Sequence, residues 1–303
     1  MGSKNEEKLR QINWAFLHRT YHGDTIGQMA RPLNQPIRHK LYQWNDYIED
    51  HTIREVSFNK DTFPAMAGVV RKVQEVTGAT YYAGLWKSHF LDGLLWHFYP
   101  LWYWHPDLWS LIPEERRGEK RRGLRKRQVW TAPSWSWASV KGIICHDYQH
   151  EADFMWADYC AHLEECNITH SGLDPFGEIT AGSARIRGPL TLVTHVKADT
   201  DTVQFPSCKL QLENGALVNA FAMFDSVDYR SCSAMMITGH VGICIEKVEG
   251  TTDTYTRVGT VEIIRNHRGP RSDIGDDDEY TIYKPWTILT AADHCPARSI
   301  TLV

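Results

Sequence analysis

The sequence predicts an α+β fold, with a helical N-terminal part packed on a C-terminal antiparallel β sandwich or barrel. Before Gln128, apolar residues recur every three or four positions, which is typical of one face of a helix. After Ser134, apolar and polar residues alternate and turn residues recur at short intervals, which is typical of strands joined by hairpins. We therefore assign residues 1–128 to a helical, tryptophan-rich part and residues 129–303 to an antiparallel β part, packed as one body.

Three segments carry the helical prediction. The runs from Leu41 to Ile48 and from Met66 to Val73 both repeat apolar residues at the helical spacing, and Gly78 is a plausible stop for the second. The segment GLWKSHFLDGLLW places Leu85, His89 and Gly93 four residues apart in turn. That spacing predicts a third, buried helix.

Six later segments predict the strands, because their alternation fits a half-buried sheet. They are ARIRGPLTLV, CKLQLENG, LVNAFAMFD, MMITGHVGICIEKVEG, TYTRVGTVEII and SITLV.

Composition favours a packed intracellular protein. Hydrophobic residues make up 42% of the chain, and the formal net charge of −4 gives no reason to expect nucleic acid or an anionic membrane as a partner. The N-terminus MGSKNEEKLRQINW is charged and no stretch predicts a membrane span, so we expect a cytoplasmic location. The seven cysteines form no CxxC pair and are interpreted as reduced and structural.

A basic segment runs from Arg116 to Arg127. Clustered lysine and arginine could bind phosphates. No aromatic residue is interleaved for base stacking, so we interpret the segment as a solvated, mobile and dispensable loop.

Several tryptophan- and glycine-containing motifs occur in order between about Trp44 and the C-terminus: AGLW, GLLW, APSWSWAS, DPFGEITAGSARIRGPL and VEGTTDTYTRVGTVEI. Through these motifs the chain resembles the region that follows the HET domain in fungal heterokaryon-incompatibility proteins. The LSYxWG-like, WID-like and RxWTxQE-like motifs of the HET domain itself do not occur upstream of Trp44. The resemblance therefore does not imply the cell-death activity associated with that domain.

The shared tryptophans have two interpretations. Buried indoles are normally core residues, and the shared motifs favour that interpretation. The other interpretation is an aromatic-walled pocket for an apolar small molecule, with Trp102, Trp104 and Trp109 as the better candidates because they lie outside the shared motifs. The substrate-binding candidates are Trp86, Trp96, Trp102, Trp104, Trp135 and Trp137.

No GxSxG, HExxH, P-loop or GxGxxG motif is present, so we expect no cofactor and no metal. His146, His150 and His162 stand near acidic residues and leave a metal site as a minor alternative. His89 and Ser136 are the catalytic candidates, as groups that could polarise a carbonyl.

Two functions follow from these observations. The first is a cofactor-independent enzyme acting on an apolar fungal secondary metabolite, such as an intramolecular cyclase of the Diels-Alder type. The alternative is a non-enzymatic incompatibility module that senses or binds a protein partner.

Overall fold

A computed structural model describes residues 44–45, 47–49, 51–52, 56, 58–98, 125–127, 129–146, 159–197, 207–225, 232–263 and 295–303. Within these residues the fold is mostly antiparallel β, with few helices. The predicted antiparallel sheet after Ser134 is confirmed. Residues 1–43, which we assign to the helical part, lie outside the described residues.

The described helices are short. Residues 44–45, 47–49 and 51–52 are helical, and α1 spans Ala67–Thr77 after two 3-10 helices, Asn59–Asp61 and Pro64–Met66. Helix α1 ends where Gly78 adopts a left-handed conformation and its N–H bonds to Gln74 O. The prediction of a helix ending at Gly78 is confirmed.

The predicted buried helix around GLWKSHFLDGLLW is wrong. Strands β1 (Tyr81–Tyr82) and β2 (Leu85–Trp86) form a hairpin, followed by a 3-10 helix (Lys87–His89) and the four-residue α2 (Phe90–Gly93). The hairpin turn places Ala83 and Gly84 at positive φ, which a continuous helix does not allow. The helical spacing of the apolar residues did not reveal this turn.

Two further strand pairs are formed by residues that lie between α2 and β7 in the sequence. Strand β3 (His97–Phe98) pairs with β6 (Ile144–Cys145), and β4 (Arg125–Lys126) pairs with β5 (Val140–Lys141). The end of the basic segment is therefore part of a strand pair, which corrects the prediction of a loop there. Residues 116–124 lie outside the described residues.

An eight-stranded sheet forms most of the β part. Its strands are β7 (His162–His170), β8 (Ile179–Lys197), β9 (Ser207–Gln211), β10 (Leu217–Phe224), β11 (Cys232–Met236), β12 (Val241–Lys247), β13 (Thr254–Ile263) and β14 (Ala297–Leu302).

The sheet closes on itself. Strand β10 pairs with both β9 and β13, which closes a ring of six strands in the order β8, β9, β10, β13, β12 and β11. Strand β14 pairs with β8 and, in parallel, with β13, which closes a second ring on the other part of the 19-residue β8. Each strand of the six-stranded ring therefore has a partner strand on both sides.

Two hydrophobic cores lie on opposite faces of the shared strands. The core that we call the barrel core fills the six-stranded ring and includes Val193, Leu210 and Val261. The core that we call the tryptophan core lies between the sheet and the helical part and includes Ile186, Ile243 and the tryptophans of the shared motifs. Successive side chains of β11 and β12 point to opposite faces of the sheet, so these two strands contribute residues to both cores.

Candidate functional site

Four of the six predicted wall residues meet in the tryptophan core. Trp86, Trp96, Trp135 and Trp137 are each at most 2% exposed. The preferred pocket candidates Trp102, Trp104 and Trp109 lie outside the described residues. The role of the four described indoles as substrate-binding residues stays a prediction, because their burial also fits a packed core.

Edge-to-face ring contacts organise this cluster. The Phe90 and Trp135 rings are tilted to each other with centroids 5.2 Å apart, whereas the Trp86 ring lies edge to face with those of Trp44 and Tyr81, at centroid distances of 5.5 and 5.2 Å. Such geometry places the positive edge of one ring against the negative face of another. Burial raises the pKa of the Tyr81 phenol well above its usual range, so the group stays neutral.

Three of the indoles are anchored by hydrogen bonds. The Nε1–H groups of Trp44 and Trp137 both donate to Gly84 O, at 2.9 and 3.2 Å, and that of Trp96 donates to Trp135 O at 3.0 Å. Gly84 is one of the two positive-φ residues in the turn between β1 and β2. These bonds join the helical residue Trp44 to the hairpin of β1 and β2, and join Trp96 and the hairpin to the segment from Trp135 to Trp137.

The other two indoles are not anchored in this way. The Nε1–H groups of Trp86 and Trp135 are buried and have no hydrogen-bond partner among the residues that the structure describes. An unsatisfied buried donor costs about 1–3 kcal/mol, so such groups usually have a functional or structural reason. They are the two buried indole N–H groups in the described part of the cluster that lack such a partner.

The two predicted catalytic residues have different environments. Ser136 is fully buried, and its hydroxyl accepts a hydrogen bond from the Ala138 N–H at 3.1 Å, which caps the 3-10 helix Trp137–Ser139. His89 is half-buried, with Nδ1 3.0 Å from Ser88 Oγ. Ser136 therefore supports a turn inside the cluster, whereas His89 lies at the partly exposed boundary.

A buried arginine adjoins the cluster. Arg257 Nη1 lies 2.5 Å from Asp225 Oδ2, its Nε donates to Leu94 O at 3.0 Å and its Nη2 donates to Trp96 O. Its guanidinium also stacks on the Trp96 ring at 3.4 Å from the centroid. The sequence alone does not single out this residue, because only the register of β13 turns its side chain inward.

A buried thiol–imidazole pair is a second feature that the sequence analysis missed. Cys145 Sγ and His97 Nε2 are 3.1 Å apart, on paired residues of β6 and β3. Both strands are only two residues long and the pair is separated by 48 positions, so neither periodicity nor spacing identifies it. The single available signal was two chemically active residue types near the tryptophan motifs.

The histidines considered as metal ligands do not meet in the described residues. His146 is buried and its backbone N–H donates to Glu49 Oε1, whereas the side chain of His162 is exposed 3.9 Å from Glu164. His150 lies outside the described residues. No group of three or more His, Cys, Asp or Glu side chains that could hold a metal ion occurs in the part of the chain that is described.

No protein-family model matches the chain, and no curated protein or solved structure matches it either. Among the described helices, none is both long and apolar enough to cross a membrane.

Proposed function

We propose that this chain is a cofactor-independent enzyme that binds an apolar small molecule against its tryptophan cluster. The observation that supports this proposal is the pair of buried indole donors, Trp86 Nε1–H and Trp135 Nε1–H, which have no hydrogen-bond partner among the described residues. Buried donors inside an aromatic cluster fit a substrate that is mostly apolar and carries a carbonyl oxygen.

Such an arrangement suits reactions that need shape and polarisation rather than a cofactor. An apolar, water-poor environment strengthens hydrogen bonds from fixed donors to a carbonyl oxygen. Holding the two reactive ends of a flexible substrate near each other supplies a further part of the rate. An intramolecular cyclisation of a fungal secondary metabolite, such as a Diels-Alder reaction, meets both conditions.

The proposed donors differ from the residues that the sequence suggested. The Ser136 hydroxyl caps its own turn by accepting the Ala138 N–H, whereas the indole N–H groups of Trp86 and Trp135 donate to no acceptor among the described residues. We therefore take these two indoles as the carbonyl donors. His89, which is half-buried, remains a candidate for the same role.

The test replaces the indole donors while keeping an aromatic ring. Trp86→Phe and Trp135→Phe remove an unpartnered N–H, whereas the matched control Trp96→Phe removes an N–H that donates to Trp135 O. Binding of carbonyl-bearing apolar metabolites is measured by calorimetry, and turnover by chromatography of the products. The unfolding midpoint of each variant is measured alongside.

The proposal predicts a separation of binding from stability. The Trp86 and Trp135 variants should bind at least about tenfold more weakly, which corresponds to the loss of about 1.4 kcal/mol from one hydrogen bond. Trp96→Phe should lower stability and change affinity less. If no metabolite binds the wild-type chain, or if all three variants lose affinity equally, the indole donors are not the binding groups.

A second candidate is the partner-binding module, and one exposed tryptophan favours it. Trp130 is 52% exposed, whereas the other five described tryptophans are buried in the tryptophan core, and the adjacent Val129 is also exposed. Exposed tryptophan is a frequent anchor of protein interfaces.

This candidate predicts a partner-dependent role for Trp130. Pairwise calorimetry against proteins encoded beside this chain should find one partner whose affinity Trp130→Ala lowers at least about tenfold. The fully exposed Leu173 gives the control variant, Leu173→Ala. Equal effects of the two variants, or no partner at all, would exclude Trp130 as an interface anchor.

A further inference from the structure

The pair formed by His97 and Cys145 has the geometry of an activated thiol. The two residues lie opposite each other on β3 and β6, and the 3.1 Å between Sγ and Nε2 is within hydrogen-bond range for sulfur. Both side chains are buried. A thiol next to an imidazole can transfer its proton to the ring and become the stronger nucleophile.

The second ring nitrogen defines the direction of the hydrogen bond. His97 Nδ1 lies 3.4 Å from Leu95 O, and a carbonyl oxygen can only accept. The tautomer that satisfies this contact carries its proton on Nδ1, which leaves the Nε2 lone pair facing Cys145. Cys145 S–H therefore donates to Nε2, and His97 is oriented as a base towards the thiol.

We propose that Cys145 is a nucleophile that adds to α,β-unsaturated carbonyl compounds, with His97 as its base. Conjugate addition fits this site better than acyl transfer, because it releases no leaving group and needs no water. The absence of a leaving group and of a water requirement suits this site, because the side chains of His97 and Cys145 are both buried. A thiolate is also a soft nucleophile, which prefers a polarisable carbon.

The addition balances within the pair and its substrate. The thiol proton passes to His97 Nε2 as the sulfur–carbon bond forms at the β carbon. The carbon–carbon π bond breaks, and its electron pair moves towards the carbonyl to give an enolate. The imidazolium then returns the proton to the α carbon, so the neutral ring is restored and the product is a thioether. No oxidant, reductant or metal takes part.

Other cysteines provide an internal comparison, because they have no imidazole beside them in the described contacts. Cys244 donates to Thr260 O, and Cys160 donates to Met236 O. Burial raises the pKa of Cys208 to about 12, which opposes thiolate formation. Cys208 is 4% exposed and Cys145 is 0% exposed, so accessibility alone would make Cys208 the faster of the two.

The test measures the modification rate of every cysteine in the native full chain. N-ethylmaleimide, a small α,β-unsaturated imide, is added near neutral pH, and labelled peptides are quantified by mass spectrometry over time. We expect Cys145 to be labelled at least about tenfold faster than Cys208, since base assistance usually contributes more than that factor. A rate for Cys145 equal to or below that of Cys208 would overturn the proposal.

Replacing His97 tests whether the imidazole activates the Cys145 thiol or only packs against it. His97→Gln should slow labelling of Cys145 at least about tenfold and leave the labelling of Cys232, a half-buried cysteine on β11, unchanged. Unchanged labelling of Cys145 in a folded His97→Gln variant would overturn the proposal. If that variant does not fold, the comparison of Cys145 with Cys208 in the wild-type chain still decides the question.

Discussion

At the scale of single residues, Gly84 determines how the tryptophan core is assembled. Its φ of +102° turns the chain between β1 and β2, and its carbonyl accepts the indole N–H groups of Trp44 and Trp137. A Cβ at this position would lie 2.4 Å from Trp137 Nε1, a distance that real structures do not show. The residue therefore serves both the turn and the close approach of the indole.

We predict that Gly84→Ala destabilises the chain by about 2–5 kcal/mol, combining left-handed strain with overpacking. The matched control is Gly215→Ala, since Gly215 also has a positive φ but no atom within 4 Å of the added methyl group. The control should cost about 1–2 kcal/mol. Urea unfolding of both variants gives the comparison, and equal losses would show that the contact with Trp137 contributes nothing.

The residue scale also shows how far the sequence could predict the candidate site. Burial of Trp86 and Trp135 follows from motifs of alternating or closely spaced aromatics, which have no other place to pack. Which indole N–H groups find a carbonyl depends on the turn at Gly84, and the pairing of His97 with Cys145 depends on a two-residue register. Neither leaves a periodic signal in the sequence.

At the scale of elements, helix α1 is tied to the hairpin between β7 and β8. Arg71 Nη2 lies 2.6 Å from Asp174 Oδ2, and its guanidinium lies over the Phe176 ring at 5.4 Å from the centroid. The Phe176 N–H and then Arg71 donate hydrogen bonds to Asp174, which lowers the pKa of this carboxyl, with a smaller effect from His170. The helix position is thus coupled to the charge of one carboxylate.

Asp174→Asn should reveal this coupling as a pH-dependent difference in stability. Asparagine can still accept the Phe176 N–H but carries no charge for Arg71. Because the folded pKa of Asp174 is lowered, its contribution is present above the ordinary pKa of aspartate and is lost as pH falls through the folded value.

The gap in unfolding midpoint between wild type and Asp174→Asn should therefore be largest near pH 6 and should narrow towards about pH 2. Urea titrations across that range provide the measurement. Lys72→Ala, which removes an exposed contact with Glu75 on the same helix, is the control and should show no comparable gap. A gap for Asp174→Asn that is constant with pH would contradict the assignment.

Elements were predicted where a single period dominates the sequence. The strands β8 to β14 follow the period of two, because each supplies at least one core with alternate side chains. The segment from Leu85 to Gly93 was mistaken for a helix because its spacing is helical, although Leu85 and Trp86 form the second strand of a hairpin that turns at Gly84. Closure of the six-stranded ring was also not predicted, because it depends on pairing between β10 and β13, which are far apart in the sequence.

At the scale of the whole molecule, Arg257 connects the sheet with the tryptophan-rich segment. From β13 it reaches Asp225 next to the end of β10 and the carbonyls of Leu94 and Trp96. Its side chain is fully buried, so the ion pair and its hydrogen bonds cannot be exchanged for contacts with water.

Arg257→Met should destabilise the folded chain by about 3–5 kcal/mol, because it leaves the Asp225 carboxylate buried without its guanidinium. Arg185→Met is the control, since Arg185 forms an exposed ion pair with Glu164 and should cost at most about 1 kcal/mol. Thermal and urea unfolding measure both. Similar losses for the two variants would mean that the buried pair does not connect the two parts.

The proposed enzyme depends on a division of the described buried tryptophans into anchored and unanchored indoles. The most direct test is the response of the indole N–H resonances of 15N-tryptophan-labelled protein to a panel of carbonyl-bearing apolar metabolites, with signals assigned from Trp→Phe variants. We predict that a bound metabolite shifts the signals of Trp86 and Trp135 downfield, because their N–H groups acquire an acceptor, while those of Trp44, Trp96 and Trp137 stay nearly unchanged. If no metabolite moves the Trp86 and Trp135 signals, or if bound metabolites move only the anchored set, the tryptophan cluster is a packed core and not a substrate site.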